Sequence, residues 1–138
     1  MLPAETRAPT LRILLAEDEI DCTKIIQGVL EKLGYTVTCC TDGSDALNAL
    51  KNLPFDLAIL DIKMPKINGV EIVKIVQELN KNLPIILMSG LSKDEIAGIL
   101  SQLSTPKLYC ISKPILIIDL IKKIDSIFGF NRPKDFFK

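Results

Sequence analysis

The sequence predicts an α/β domain with a five-stranded parallel sheet made from five strand–helix units, (βα)5. Three observations carry this. Short runs such as Leu57-Ala58-Ile59-Leu60 are wholly apolar; they lack the polar alternation of a strand with one wet face, so they read as strands covered on both sides. The segments between such runs place apolar residues at helical spacing. Runs and stripes then alternate along nearly the whole chain, and each return to a parallel strand requires a right-handed crossover.

Leu11 to Ala16 is the first strand, running into the acidic turn Glu17-Asp18-Glu19. Apolar residues at Cys22, Ile25, Ile26, Val29, Leu30 and Leu33 mark one helix face, closed by Gly34. Tyr35 to Cys39 is rich in β-formers and gives the second strand; Asp42-Gly43 turns into a helix over Ser44 to Asn52. The third strand ends at Asp61, with Pro65 and Asn68-Gly69 stopping regular structure before a helix over Val70 to Asn80. Pro84 to Met88 is the fourth strand, ending in Ser89-Gly90, and Ile96, Ile99, Leu100 and Leu103 give the next helical stripe. Lys107 to Ile111 is the fifth strand, ending in Ser112-Lys113-Pro114; the last helix spans Ile115 to Phe128 with Gly129 as its stop. The chain divides into an N-terminal extension over 1–10, the domain over 11–128 and a tail over 129–138 with three phenylalanines.

With 138 residues the chain suits one domain with a single core. Hydrophobic residues make up 48% and charged residues 25%, the balance of a soluble globular protein. Lysine plus arginine equal aspartate plus glutamate, 17 each, which argues against a nucleic-acid or anionic-membrane surface. The start has no secretion pattern and no stretch is long enough to span a bilayer, so a cytoplasmic protein is expected. Cys22, Cys39, Cys40 and Cys110 form no C-x-x-C pair and read as reduced, buried residues. The chain has no histidine, which excludes a histidine-based triad and any phosphohistidine of its own.

Four strand ends carry polar residues: Glu17-Asp18, Asp61, Ser89 and Lys113. In a parallel sheet these ends share one edge, where open α/β sheets bind ligands. Taken singly, each has a structural explanation, as a helix cap or a turn residue. Together they place three mutually repelling carboxylates in one spot, a penalty that a bound cation removes. Oxygen ligands without sulfur or imidazole favour a hard ion, Mg²⁺. The set suits phosphoryl transfer: Asp61 as nucleophile, with Lys113 and Ser89 binding the phosphoryl group.

The motifs Leu14-Leu15-Ala16-Glu17-Asp18-Glu19, Leu60-Asp61-Ile62-Lys63-Met64-Pro65 with Asn68-Gly69, Met88-Ser89-Gly90 and Ser112-Lys113-Pro114 resemble the receiver domain of two-component response regulators, from about Leu11 to Phe128. The resemblance implies a flavodoxin-like three-layer sandwich with strand order 2-1-3-4-5. It implies that Asp61 accepts phosphate from a sensor histidine kinase or a histidine phosphotransfer protein. It also implies that Glu17, Asp18, Asp61 and the backbone carbonyl of Lys63 hold Mg²⁺, directly or through water, and that Ser89 and Lys113 act as switch hydroxyl and phosphoryl-binding lysine. Such a domain is not an enzyme toward other substrates. One position departs from the pattern: Cys110 stands where receivers usually carry an aromatic, and Tyr109, one residue early, is expected on the opposite strand face.

Two other functions use overlapping residues. A phosphatase or phosphotransferase of the haloacid dehalogenase type needs an acid two residues after its nucleophile, where this chain has Lys63. A receiver-shaped scaffold that is never phosphorylated would have no use for the intact acidic, hydroxyl and lysine set. The last helix is apolar over more than one stripe, which makes Ile118 a candidate for a homodimer or output-protein contact. The stretch after Phe128 is too short for a conventional DNA-binding domain.

Overall fold

The computed structural model describes residues 10–79, 82–103, 107–133 and 135–137. Its strands are β1 (Arg12–Ala16), β2 (Thr36–Cys40), β3 (Leu57–Asp61), β4 (Ile85–Ser89) and β5 (Leu108–Ser112). All neighbours pair in parallel, in the order β2-β1-β3-β4-β5. The helices are α1 (Ile20–Lys32), α2 (Gly43–Asn52), α3 (Gly69–Leu79), α4 (Lys93–Leu100) and α5 (Ile117–Phe128).

The pleat divides each strand between two cores. Leu14, Ala58, Leu60 and Leu87 face Ala46, Ile72, Val73 and Val76 from α2 and α3. Ile13, Leu15, Ile59 and Ile86 face Ile26 and Leu30 from α1 and Leu120 and Ile124 from α5. Every residue of β3 and β4 is buried, which is why their sequences lack alternation. Each fully buried large aliphatic side chain contributes about 1.5–3 kcal/mol, and the central position of β3 sets Asp61 in the middle of the sheet edge.

Local chemistry sets the helix ends. Asp42 caps α2 by accepting from the Asp45 amide at 2.8 Å, and Ser92 and Glu95 form a reciprocal capping box on α4. Gly129 ends α5 at φ 71°, a left-handed position that suits glycine. Among the described residues no helix is long and apolar enough to cross a membrane.

Several boundaries differ from the sequence reading. β2 and β5 each sit one residue later, because their register is set by pairing with β1 and β4. α5 begins at Ile117 rather than Ile115, behind the cis Lys113–Pro114 bond. Leu103 is buried as expected but lies beyond the end of α4. Ile25, assigned to the core stripe of α1, is 61% exposed. It stands about 100° around the helix from Ile26, on the flank rather than the buried line of Ile26 and Leu30. Asn80, expected to close α3, lies outside the described residues. All four cysteines are free, but only Cys40 is buried; Cys22, Cys39 and Cys110 are half-buried.

The tail folds back on the domain. Phe130 stacks on Phe128 with ring centres 5.6 Å apart. Arg132 forks onto Asp125, both contacts at 3.0 Å, donates to the Tyr35 hydroxyl at 2.9 Å and lies over the Phe136 ring.

Candidate functional site

The carboxyl edge of the sheet gathers the residues named from the strand ends. Glu17 follows β1 directly, its amide extending the ladder to the Cys40 carbonyl at 3.1 Å. It is completely buried. Its Oε1 accepts from the Glu19 amide at 3.1 Å, whereas Oε2 faces the Lys113 ammonium at 2.9 Å without an aligned hydrogen bond. Asp18, next in the chain, is exposed. Asp61, the last residue of β3, is 5% exposed; Oδ1 accepts from the Lys63 amide at 3.2 Å and Oδ2 from Lys113 Nζ at 2.6 Å.

The loop after Asp61 turns back sharply. A Cβ at Gly69 would lie 2.5 Å from the Asp61 carbonyl oxygen, so only glycine lets α3 begin this close to the strand. Ser89, the last residue of β4, accepts from the Leu91 amide at 2.9 Å, which leaves its own O–H free to donate. Lys113 is anchored through its amide to the Ser89 carbonyl at 2.7 Å. Asp18, Asp61, Lys63, Ser89 and Lys113 line one open cavity of about 340 Å³, with Glu17 buried behind them.

Burial and charge act in opposite directions here. Burial raises the Glu17 carboxyl most; with the Lys113 ammonium and the Glu19 amide acting against it and Asp61 with it, the group stands at about 7. Partial burial works against the Lys113 charge, but the hydrogen bond to Asp61 and the charge of Glu17 at 2.9 Å outweigh it and raise the lysine above its usual range. A lysine so held stays cationic beside both acids.

The three carboxylates offer oxygens all within 4.8 Å of one another. That spacing, the buried Glu17 oxygen with no aligned donor and the all-oxygen set fit a hard divalent cation such as Mg²⁺. The arrangement provides an acid between a cation-sized acidic cluster and a fixed ammonium, open to a cavity that admits a phosphoryl group.

Tyr109 packs in the α1–α5 core and Cys110 in the other, the opposite-face relation expected from strand alternation. Sequence reasoning did not reach the contacts between the Asp42-Gly43 turn and the loop after Asp61; the turn itself was legible, its distant partner was not.

The family model for the response regulator receiver domain matches residues 13–125. The response regulator receiver protein CpdR of Brucella abortus is 33% identical over 116 residues, covering 84% of this chain and 95% of CpdR. The transcriptional regulatory protein CpxR homolog of Haemophilus influenzae is 31% identical over 118 residues; the chain spans about half of it, 49%. Among solved structures, the response regulator TrrA of Thermotoga maritima in complex with Mg²⁺-BeF is 26% identical, with a TM-score of 0.73 over 84% of this chain and 97% of that one.

Proposed function

Since the chain belongs to the response regulator receiver domain family, we propose that it is a phospho-accepting module whose Asp61 takes a phosphoryl group from a phosphohistidine on a partner protein. The chain has no histidine, so the donor is a sensor histidine kinase or a histidine phosphotransfer protein in the same compartment, the cytoplasm. The observation that carries the reading is the placement of Asp61: on the edge of the cavity, 2.6 Å from Lys113, and clustered with Glu17 and Asp18.

In the transfer, an Asp61 carboxylate oxygen forms the new bond to phosphorus as the bond from phosphorus to the partner's imidazole nitrogen breaks. The imidazole departs with that electron pair. Lys113, already on Asp61, follows the negative charge onto a phosphoryl oxygen, and Ser89 donates its hydroxyl to another. Glu17, Asp18, Asp61 and the Lys63 carbonyl would hold Mg²⁺, which supplies charge neutralisation on the phosphoryl oxygens when bound. The same residues limit turnover to phosphorylation of Asp61 and its hydrolysis; Lys63 occupies the place where a phosphatase of the dehalogenase type needs a second acid.

Incubation with acetyl phosphate and Mg²⁺, read by mass spectrometry, tests this. The wild type should gain one phosphoryl group and Asp61→Asn none, because an amide cannot form the acyl phosphate. Undiminished incorporation in the variant, or steady turnover of phosphate monoesters, would overturn the assignment.

A further inference from the structure

The loop between Asp61 and Gly69 is attached at a point outside itself. The Gly43 amide donates to the Pro65 carbonyl at 3.1 Å, and Lys66 Nζ pairs with Asp42 Oδ2 at 3.2 Å. The backbone of Ile67 presses so closely on Gly43 that a Cβ there would lie 1.7 Å from the Ile67 oxygen and 2.6 Å from its carbonyl carbon. Those are backbone atoms, so no rotamer change relieves the clash.

The attachment falls where the loop is most strained. Lys66 has φ 72°, and the Ile67 amide donates across it to Pro65 at 2.9 Å, a γ-turn with positive φ at a residue that is not glycine. Such a conformation persists only when its surroundings hold it. Here the Pro65 carbonyl serves two amides, and the side chain of the strained residue is tied to Asp42. At its far end the loop closes through the Gly69 amide onto the Ile62 carbonyl at 2.9 Å. Lys63 lies between these fixed points, two residues before the clamped Pro65.

We propose that Asp42, Gly43 and Lys66 are positioning residues for the divalent cation: the start of α2 clamps the γ-turn and thereby holds the Lys63 backbone, which lines the cavity with Asp18 and Asp61, where its carbonyl would join the acids. The inference rests on the cation-binding reading of the site given above. Gly43 serves by lacking a Cβ, and Asp42 has two duties, one oxygen capping α2 and the other pairing with Lys66. A mere packing role would affect stability and leave the affinity of the folded protein for the ion unchanged.

Mg²⁺ titration calorimetry well below the unfolding temperature separates the two. Gly43→Ala should bind Mg²⁺ about tenfold or more weakly while retaining cooperative unfolding, the size expected when support behind a metal ligand is lost. Asp42→Ser keeps a helix cap and removes the ion pair; it and Lys66→Gln should each weaken binding about two- to fivefold, and the double variant no further. In the wild type, saturating Mg²⁺ should slow hydrogen exchange of the Gly43 amide. If Gly43→Ala does not fold, the pair variants and the amide exchange decide. Wild-type Mg²⁺ affinity in the folded variants, or unchanged Gly43 exchange, overturns the clamp while leaving the site intact. Absence of Mg²⁺ binding by the wild type overturns the cation site and the clamp together.

Discussion

Glu17 governs how the site responds to pH. Its carboxyl is raised from the usual 4.5 to about 7, chiefly by burial. A raised carboxyl binds a proton in the folded state that the unfolded chain has already released. Stability from this group is therefore full below about pH 4.5 and is lost as pH rises through about 7. A cation requires the ionised form, so Mg²⁺ affinity should run the opposite way, gaining about tenfold between pH 6 and pH 8. Mg²⁺ titrations across that range check it; a flat profile would show that Glu17 is already ionised or is not a ligand. Ser89 and Cys110 make a second residue-scale contrast. Cys110 borders a cavity of about 240 Å³ with Leu91, Ile96 and Leu100, and its small sulfur can neither fill nor vacate the space an aromatic would use. Cys110→Ala should leave phosphorylation and the accompanying amide shift changes nearly unaltered. Ser89→Ala removes the acceptor of the Leu91 amide and the free O–H, so the shift changes should shrink while Asp61 still takes the phosphoryl group. Loss of the response in Cys110→Ala would make that cysteine a switch element.

At the scale of elements, α5 and the tail behave as one piece. The Arg132–Asp125 pair is largely shielded, with side chains 12% and 11% exposed, and Arg132 also satisfies Tyr35. Breaking such a pair leaves the other charge buried and costs about 3–5 kcal/mol. Arg132→Ala should lower the unfolding free energy by that order, read in urea as a lower midpoint with an unchanged slope, a much larger effect than Arg12→Ala at the half-exposed pair with Asp56. Equal effects from the two would mean that the tail adds nothing to the fold. Ile118 is 36% exposed and its neighbour Leu116 58%, so this end of α5 keeps an apolar surface that the core does not use.

For the whole molecule, the acidic edge that suits ligand binding weakens the fold when no cation is bound. Crowded carboxylates destabilise the protein without a cation, and a bound ion stabilises it by mass action, about 2.7 kcal/mol at a hundred times its dissociation constant. Thermal unfolding should rise with Mg²⁺ in the wild type. Asp18→Ala should start higher without Mg²⁺ and rise little with it. Equal Mg²⁺ responses would remove Asp18 from the ligand set.

Much of this architecture was present in the order of residues. Uninterrupted apolar runs identified β3 and β4, helical spacing identified the helices, and parallel pairing alone sent Glu17, Asp18, Asp61, Ser89 and Lys113 to one edge. Periodicity reports the burial of an element along its own axis, and for that it suffices. It does not report what a neighbouring element covers, so the exposure of Ile25 on the flank of α1 and the docking of Arg132 on Tyr35, 97 residues away, leave no mark in it. The reach of Lys113 to both Glu17 and Asp61, and the grip of Gly43 on the strained turn at Lys66, exist only once α2, β3 and β5 are packed. Sequence determined which chemical groups meet at the carboxyl edge of the sheet; tertiary packing decided the distances between them and the contacts away from that edge, because those depend on segments with no local signature.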